Sequence, residues 1–138
     1  MTETLKLTIL TPERRLLSNF DVDSVTVTGS EGQIQILPGH ASMLGVLETG
    51  LFSYQQQRQE MVSGFISTGF FEVNDNQVTL TCETLELQNE IDHNRARQAQ
   101  LKAEKILQEA SLESSQFKKY QLKLQRALIR QQLTTKSQ

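Results

Sequence analysis

Arginine and acidic side chains in the last third of the chain occur at spacings that could bind phosphate. Arg126 and Arg130 lie four residues apart, so in a helix they share one face. Guanidinium groups form paired hydrogen bonds with phosphate oxygens, and two on one face could hold a phosphorylated ligand. Asp92 and Arg95 are three residues apart and would share a face too. The same spacings are typical of ordinary surface charges, so both interpretations stay open on this pattern alone.

Residue types that perform nucleophilic or metal-assisted catalysis are present, but not in catalytic arrangements. His40 follows Leu37-Pro38-Gly39, where no motif supplies a nucleophile or an orienting carboxylate, so a structural or interface role is favoured. Cys82, the one cysteine, ends an apolar stretch and is expected to be a buried small side chain. No Cys and His spacing fits zinc, and His93 is expected to be a solvated helix residue. The sequence therefore predicts a chain that is not an enzyme and needs no metal.

The glycine-rich segment Gly29-Ser30-Glu31-Gly32 does not predict a phosphate-binding loop. It lacks the following lysine and the strand-to-helix context that such loops require, so a hairpin turn is the better interpretation. The last third of the chain, residues 90–138, is basic enough to attract nucleic acid. Its Lys and Arg residues alternate with Glu and Gln without an aromatic series, which favours a solvated face and no nucleic-acid partner.

The elements that must position these residues fall into two parts. All seven glycines and both prolines precede residue 70, which is typical of a turn-rich β region followed by an uninterrupted helical region. Residues 1–89 carry four Lys or Arg against eleven Asp or Glu, whereas residues 90–138 carry ten against five. We therefore predict a β-sandwich domain over residues 1–88 and a helical domain over residues 89–138.

Alternating apolar residues predict the strands of the first part. Leu5, Leu7 and Ile9 alternate with polar residues, as do Val25 and Val27, and further short runs follow between turn residues. Strands this close in sequence leave no room for parallel crossovers between neighbours. The fold class predicted is an N-terminal, mainly antiparallel β-sandwich.

Apolar residues at three-to-four spacing predict two helices in the second part. The first stripe is rich in alanine (Ala96, Ala99, Ala103), the segment Ser111 to Ser115 interrupts it, and the second stripe includes Phe117, Tyr120 and Leu124. The expected result is a C-terminal antiparallel two-helix hairpin. Small residues bury little apolar area, so the packing should be weak and reversible. Such a hairpin must lean on the sandwich, bind a partner, or exchange between the two.

No segment of the sequence predicts direct membrane insertion. Met1 to Leu10 lacks the pattern of a signal peptide, and no apolar stretch is long enough to span a bilayer. Membrane contact is therefore expected only through partner proteins.

Four ordered blocks of the sequence resemble the epsilon subunit of bacterial and plastid F-type ATP synthases. They are residues 29–41 (GSEGQIQILPGHA), residues 47–50, residues 69–80 and Ile91-Asp92-His93-Asn94-Arg95-Ala96. The resemblance covers nearly the whole chain and implies the same sandwich-and-hairpin fold. It further implies a non-catalytic rotor subunit of the central stalk, which couples rotation to catalysis.

The resemblance also implies partners and a location. The sandwich would bind the gamma subunit and rest on the ring of c subunits, with Glu31, Gln33, His40 and Ser42 in the segment that meets the ring. The complex would be peripheral on the cytoplasmic face of the bacterial inner membrane, or on the stromal face of the thylakoid for a plastid-encoded chain. Departures from the family pattern are Gln33 for an acidic residue, Gln35 for glycine, Ser42-Met43 for Pro-Leu and Thr68 for glycine.

Two regulatory features follow from the resemblance. The hairpin could extend into the catalytic alpha/beta head and inhibit ATP hydrolysis, with inhibitory contacts expected at Lys118, Lys119, Lys123, Arg126 and Arg130. Some family members bind ATP in the folded form, and the matching residues here are Glu86, Asp92, Arg95, Arg126 and Arg130. Lys102 stands where an arginine is expected and cannot reproduce its bidentate fork, so weak regulatory ATP is the only ligand expected and no cofactor is required.

A free-standing nucleotide-sensing or nucleic-acid-binding module is the alternative function. Salt-dependent retention on DNA would support it.

Overall fold

Strands fill the first part of the chain and helices the second in the computed structural model, which describes residues 4–13, 15–56, 59–109 and 111–136. The chain divides into two compact units, the first ending at Leu87 and the second beginning at Gln88. The strands are β1 Leu5–Leu10, β2 Arg15–Val22, β3 Ser24–Gly29, β4 Gly32–Ile36, β5 Met43–Leu47, β6 Gly50–Gln55, β7 Val62–Ile66, β8 Gly69–Asn74, β9 Gln77–Cys82 and β10 Leu85–Leu87. A single 3₁₀ turn, Gln88–Glu90, leads to helices α1 His93–Leu107 and α2 Ser114–Lys136.

The strands hydrogen-bond in the order β10-β7-β6-β3-β5-β8-β9-β1-β2, with β4 paired to β3. Pairing between β3 and β5 consists of one residue pair, Gly29 with Leu47. The sheet therefore folds over at this narrow junction, and its two halves enclose one apolar core. The predicted β-sandwich is confirmed. Its ladders are antiparallel except between β1 and β9, which are distant in sequence and pair in parallel.

The core forms because apolar residues point inward at every second position. Leu5, Leu7 and Ile9 of β1 are buried while the residues between them are not, as the alternation predicted. Phe52 of one half-sheet and Phe71 of the other are buried in the same cluster. Each large side chain removed from water contributes roughly 1.5–3 kcal/mol, so this cluster is the main stabilising feature of the unit.

Two tight turns at one end of the sandwich fix the backbone conformation of the β8–β9 connection and of the β4–β5 loop. Asp75 and Asn76 have φ angles of 49° and 61° and connect β8 to β9, which is the geometry of a type I′ hairpin turn. In the β4–β5 loop, the His40 amide donates to the Leu37 carbonyl at 3.1 Å, and Gly39 has a φ of 86°. With Pro38 before it, Gly39 occupies the position of a type II turn that requires positive φ.

The second unit is an antiparallel pair of helices with a thin apolar interface, as predicted. Asp92 caps α1 by accepting a hydrogen bond from the Arg95 amide at 3.2 Å. The buried residues of α1 are Ala96 and Ala103, and Ala127 is buried on α2. Among the described residues, neither helix has the length and apolar content needed to cross a membrane.

Polar contacts add to this interface. The Gln131 side-chain amide donates to the Gln100 side-chain oxygen, and that of Gln100 donates to the Glu104 carboxylate. His93 Nδ1 lies 2.7 Å from the Thr134 hydroxyl. The expectation that His93 is merely solvated was therefore wrong, because α2 brings a hydroxyl to it that its own helix does not contain.

We expect Gly45→Ala to destabilise the sandwich by about 1–3 kcal/mol, because the added methyl would overlap the buried Phe71 ring, which the core prevents from moving. Urea unfolding of the full chain measures the change. The neighbouring exposed Leu44→Ala is the matched control and should alter the free energy of unfolding by about 0.5 kcal/mol or less. Equal stability of Gly45→Ala and the unsubstituted protein would contradict this packing.

Candidate functional site

A polar strip runs along the outside of β4. Gln33 and Gln35 are solvent-exposed and alternate with the less exposed Ile34 and Ile36. Glu31 and Leu37, just outside the strand, continue the same spacing and are exposed too, with Leu37 the apolar end of the strip. Their period-two spacing places them on one face of a strand that pairs only with β3 among the described strands. The strip is therefore an uncovered outward face, available to a partner surface.

The residues predicted to meet a c ring fall into two segments of this region. Glu31 lies in the turn before β4 and Gln33 within it, whereas His40 and Ser42 lie in the loop after it. Strands rise about 3.3 Å per residue, so the two ends of β4 are roughly 13 Å apart. A surface that touches both segments must lie along β4 and extend past its end.

The loop after β4 is tied to the β8–β9 turn. The Gly39 amide donates to Asn76 Oδ1 at 2.8 Å, and the Ser42 hydroxyl donates to Asn74 Oδ1 at 3.3 Å. His40 Nδ1 lies 2.7 Å from the Ala41 carbonyl oxygen, which identifies Nδ1 as a donor. Sequence reasoning recognised Asn74 to Asn76 only as a turn and missed these contacts, since nothing in the spacing relates residues 37 apart.

Three large apolar side chains lie exposed on the outer face of β5 and β8. Leu44, Val46 and Phe70 are 75%, 50% and 60% exposed, and Val46 pairs directly with Phe70 across the two strands. An apolar groove of about 540 Å³ is lined by Val46 and Phe70 together with Leu10 and Pro12. Sequence reasoning missed this face, because alternation shows which residues share one side of a strand but not which side faces the core.

Cys82 also lines the groove but is itself buried, as predicted. Burial raises the pKa of its thiol to about 11. Within the described part of the chain, no group of three or more His, Cys, Asp or Glu side chains is placed to hold a metal ion.

A basic cavity of about 340 Å³ lies between the two helices of the hairpin. Its lining combines small residues of α1 with cations of both helices and one tyrosine: Ala99, Lys102, Ala103, Tyr120, Lys123, Arg126 and Arg130. The Nε atom of Arg126 is buried and has no hydrogen-bond partner among the described residues. A buried guanidinium N–H without an acceptor is costly, so the cavity suits an anionic ligand that supplies one.

The nucleotide-site residues predicted from sequence are only partly brought together. Arg126 and Arg130 line the cavity, joined by Lys102 from α1. Asp92 caps α1 and Arg95 lies one turn before Ala99, so neither lines the cavity. Glu86 belongs to the other unit, in β10 opposite Phe65.

The candidate inhibitory residues lie along α2. Lys118 and Lys119 are exposed in its first turns. The Lys119 and Lys123 ammonium groups lie 5.8 and 5.0 Å from the centre of the Tyr120 ring, within the range of cation–π attraction. Positive charge is thus concentrated along this helix from its start to Arg130.

Two family models together match almost the whole chain. The model described as ATP synthase, Delta/Epsilon chain, beta-sandwich domain matches residues 4–88, and the corresponding long alpha-helix domain matches residues 89–134. The chain is 42% identical over 137 residues to the ATP synthase epsilon chain of Trichlorobacter lovleyi, covering 99% of this chain and 98% of that one. It is 39% identical over 137 residues to the epsilon chain of Geobacter sulfurreducens, with the same coverage.

Solved structures share the fold at lower identity. A chain of the Euglena gracilis mitochondrial ATP synthase, in a structure of OSCP, F1 and c-ring, matches with a TM-score of 0.82 at 21% identity, covering 97% of this chain and 80% of that one. A chain of the Tetrahymena thermophila mitochondrial ATP synthase central stalk and c-ring matches with a TM-score of 0.59 at 19% identity, covering 98% and 96%.

The raised pKa of Cys82 predicts a thiol that labels slowly in the native protein. At pH 9 the thiol of the unfolded chain, with its ordinary pKa near 9.0, is substantially ionised, whereas the native thiol is protonated and covered. Iodoacetamide labelling at pH 9 should therefore be much slower for native than for urea-unfolded protein. The stabilising contribution of the protonated thiol should be lost as pH rises from about 9 through 11. Equal labelling rates in the two states would contradict the burial.

Proposed function

The chain belongs to the delta/epsilon family of ATP synthase subunits, and from that premise we propose that it is the epsilon subunit of a bacterial rotary ATP synthase. It is a non-catalytic rotor subunit, and the family assignment confirms that part of the function predicted from the sequence, while inhibition by the helices stays a prediction. The observation that carries this conclusion is the match to both domains in their order, over 99% of the chain, at about 40% identity to bacterial epsilon chains. A free-standing nucleotide or nucleic-acid module gains no comparable support.

The outer face of β5 and β8 is the proposed contact with the gamma subunit. Leu44, Val46 and Phe70 place three neighbouring apolar side chains in water, and the groove beside them extends the apolar surface. Burial of such a surface against a partner is favourable by about 25 cal/mol per Å², and contiguous exposed apolar patches mark interaction sites. A stalk subunit needs one permanent attachment to transmit torque, and this face provides the apolar chemistry for it.

The polar strip on β4 and the loop after it are the proposed contact with the c ring. Glu31, Gln33, His40 and Ser42 supply polar groups along one side of the sandwich. A polar surface suits a contact that forms only on assembly, because it leaves no apolar area exposed in the free subunit. The chain would reach the membrane only through these partners, and we place the complex on the cytoplasmic face of the bacterial inner membrane.

The hairpin is the proposed brake on ATP hydrolysis. Its apolar interface includes small residues such as Ala96, Ala103 and Ala127, so separating the helices exposes little apolar surface per residue. The exposed Lys118 and Lys119, with Lys123, Arg126 and Arg130 along the same helix, would then meet acidic surface of the alpha/beta head. Such a switch requires a closed hairpin that opens at a small cost in free energy, and an open hairpin whose charges bind a partner.

ATP fits the hairpin cavity as a regulatory ligand. Arg126, Arg130, Lys102 and Lys123 would hold its phosphates, and the buried Arg126 Nε would gain the acceptor that the described residues do not provide. ATP held by residues of both helices stabilises the closed hairpin by mass action: it multiplies the ratio of closed to open hairpins by one plus the ATP concentration divided by its dissociation constant. Asp92 and Arg95 would contribute by starting α1 correctly, and ATP is not required for the fold.

We expect the full chain to slow ATP hydrolysis by a rotary ATPase stripped of its own small stalk subunit, whereas a form ending at Glu90 should bind without slowing it, since it lacks the hairpin. Steady-state hydrolysis and co-sedimentation with the complex measure the two effects. Phe70→Glu tests attachment and should abolish binding, while Met61→Glu, an equally exposed apolar residue next to β7, is its control. Equal inhibition by both lengths would refute the brake, and failure of both to bind would refute the stalk assignment.

Arg126→Ala should weaken ATP binding to the isolated chain about 10-fold or more, because a charge-assisted hydrogen bond in a partly buried cavity is lost. Isothermal titration calorimetry measures the affinity. Lys118→Ala removes the same charge from the same helix at an exposed position outside the cavity and should leave the affinity nearly unchanged. Unchanged affinity in Arg126→Ala would exclude this cavity as the nucleotide site.

A further inference from the structure

The loop between β4 and β5 is held from outside by two side chains of the β8–β9 hairpin, of which Asn76 holds the turn within the loop. Its type II turn spans Leu37 to His40 and closes on itself through the His40 amide. The Gly39 amide plays no part in that closure and donates instead to Asn76 Oδ1 at 2.8 Å. Gly39 itself is exposed, so this bond is a link at the protein surface and not a part of the core.

Asn76 is a rigid support because its backbone is fixed on two sides. The register of the β8–β9 hairpin pairs Asn74 with Gln77 across the turn, and Asn76 occupies the second positive-φ position between them. Its own carbonyl accepts a hydrogen bond from the Lys6 amide of β1 at 2.8 Å. The side chain is thus carried by a turn anchored in both β9 and β1.

The residue type at position 76 meets two separate demands. Positive φ favours glycine, asparagine or aspartate. The bond to the Gly39 amide needs a side-chain oxygen, which excludes glycine. Asparagine satisfies both demands, and aspartate would as well. Turn formation alone would accept glycine, so comparing the three residues separates the backbone role from the side-chain role.

We propose that Asn76 is a positioning residue for ring contact: its side-chain oxygen fixes the Leu37–His40 turn so that His40 and Ser42 are presented to the c ring in one orientation. This inference rests on the proposed function. The second link, from the Ser42 hydroxyl to Asn74 Oδ1, extends the same support to the end of the loop. The β8–β9 turn thereby orients a contact surface that lies in the β4–β5 loop.

The bond from Gly39 to Asn76 would favour binding to the ring by holding the loop in its bound orientation beforehand. A loop already held in its bound orientation loses less conformational freedom on binding than a mobile one. Loss of one net hydrogen bond should let the turn open about 5-fold more often. Affinity for the ring falls only as far as the fraction of closed turns falls, so it should drop by up to about 5-fold, with the sandwich core unaffected.

The first test measures amide hydrogen exchange of the full chain by NMR. Asn76→Gly keeps positive φ and removes the acceptor, so exchange at Gly39 should speed up about 5-fold while the Lys6 amide, bonded to the backbone of residue 76, is unchanged. Asn76→Asp should restore protection at Gly39. Asp75→Gly alters the adjacent residue of the same turn and is the matched control. Unchanged exchange at Gly39 in Asn76→Gly would overturn the proposal.

The second test measures affinity of the same variants for a complex of gamma and c ring. Asn76→Gly should bind measurably more weakly, by up to about 5-fold. Asn76→Asp and Asp75→Gly should bind like the unsubstituted chain, and His40→Ala should bind more weakly still. If His40→Ala weakens binding but Asn76→Gly does not, the positioning role is wrong while the ring contact stands. If neither variant changes the affinity, the loop is not a ring contact and that part of the proposed function fails together with this inference.

Discussion

The close approach of two helices through alanine is the constraint on which the regulatory half of this molecule depends. Ala96, Ala103 and Ala127 let α1 and α2 lie side by side while burying little apolar surface. The Gln131–Gln100–Glu104 chain of hydrogen bonds and the contact of His93 with Thr134 fix the register of the pair. Larger apolar residues at these buried positions would clash across the close approach and force the helices apart.

The sandwich, unlike the hairpin, is held together by large buried side chains. Its interior contains fully buried aromatic and branched side chains from both half-sheets, including Phe52, Phe71 and Ile66, and its free energy of folding comes from that cluster. A rigid body of this kind can display an apolar face at β5 and β8 and a polar strip at β4 without either surface distorting the fold. The proposed attachment and the proposed regulation would therefore reside in different units with different packing.

The local features of this organisation are predictable from the sequence, whereas contacts between residues distant in the chain are not. Alternation and glycine distribution predict the sandwich, and the alanine stripe predicts the hairpin, because both patterns are local. The parallel pairing of β1 with β9 and the bond from Gly39 to Asn76 join residues that are distant in sequence, and no local pattern encodes them. The exposure of Phe70 depends on which side of β8 faces the core, which alternation alone leaves undetermined.

The candidate nucleotide site shows the same limit at the level of single residues. The shared face of Arg126 and Arg130 follows from helical spacing, and both residues line the cavity. The contributions of Lys102 and Tyr120 depend on how α1 and α2 are aligned against each other, which is set by alanine contacts and the loop between the helices. The Asp92 side chain caps α1 and does not line the cavity.

Native-state hydrogen exchange of the full chain, measured as a function of denaturant, tests most directly whether the hairpin is a weakly closed switch on a stable platform. The account predicts that amides of α1 and α2 exchange through an opening of much lower free energy than the global unfolding reported by amides of β1 and β9. Millimolar ATP should raise the protection of the hairpin selectively. A single opening free energy shared by the helices and the sandwich would contradict the account.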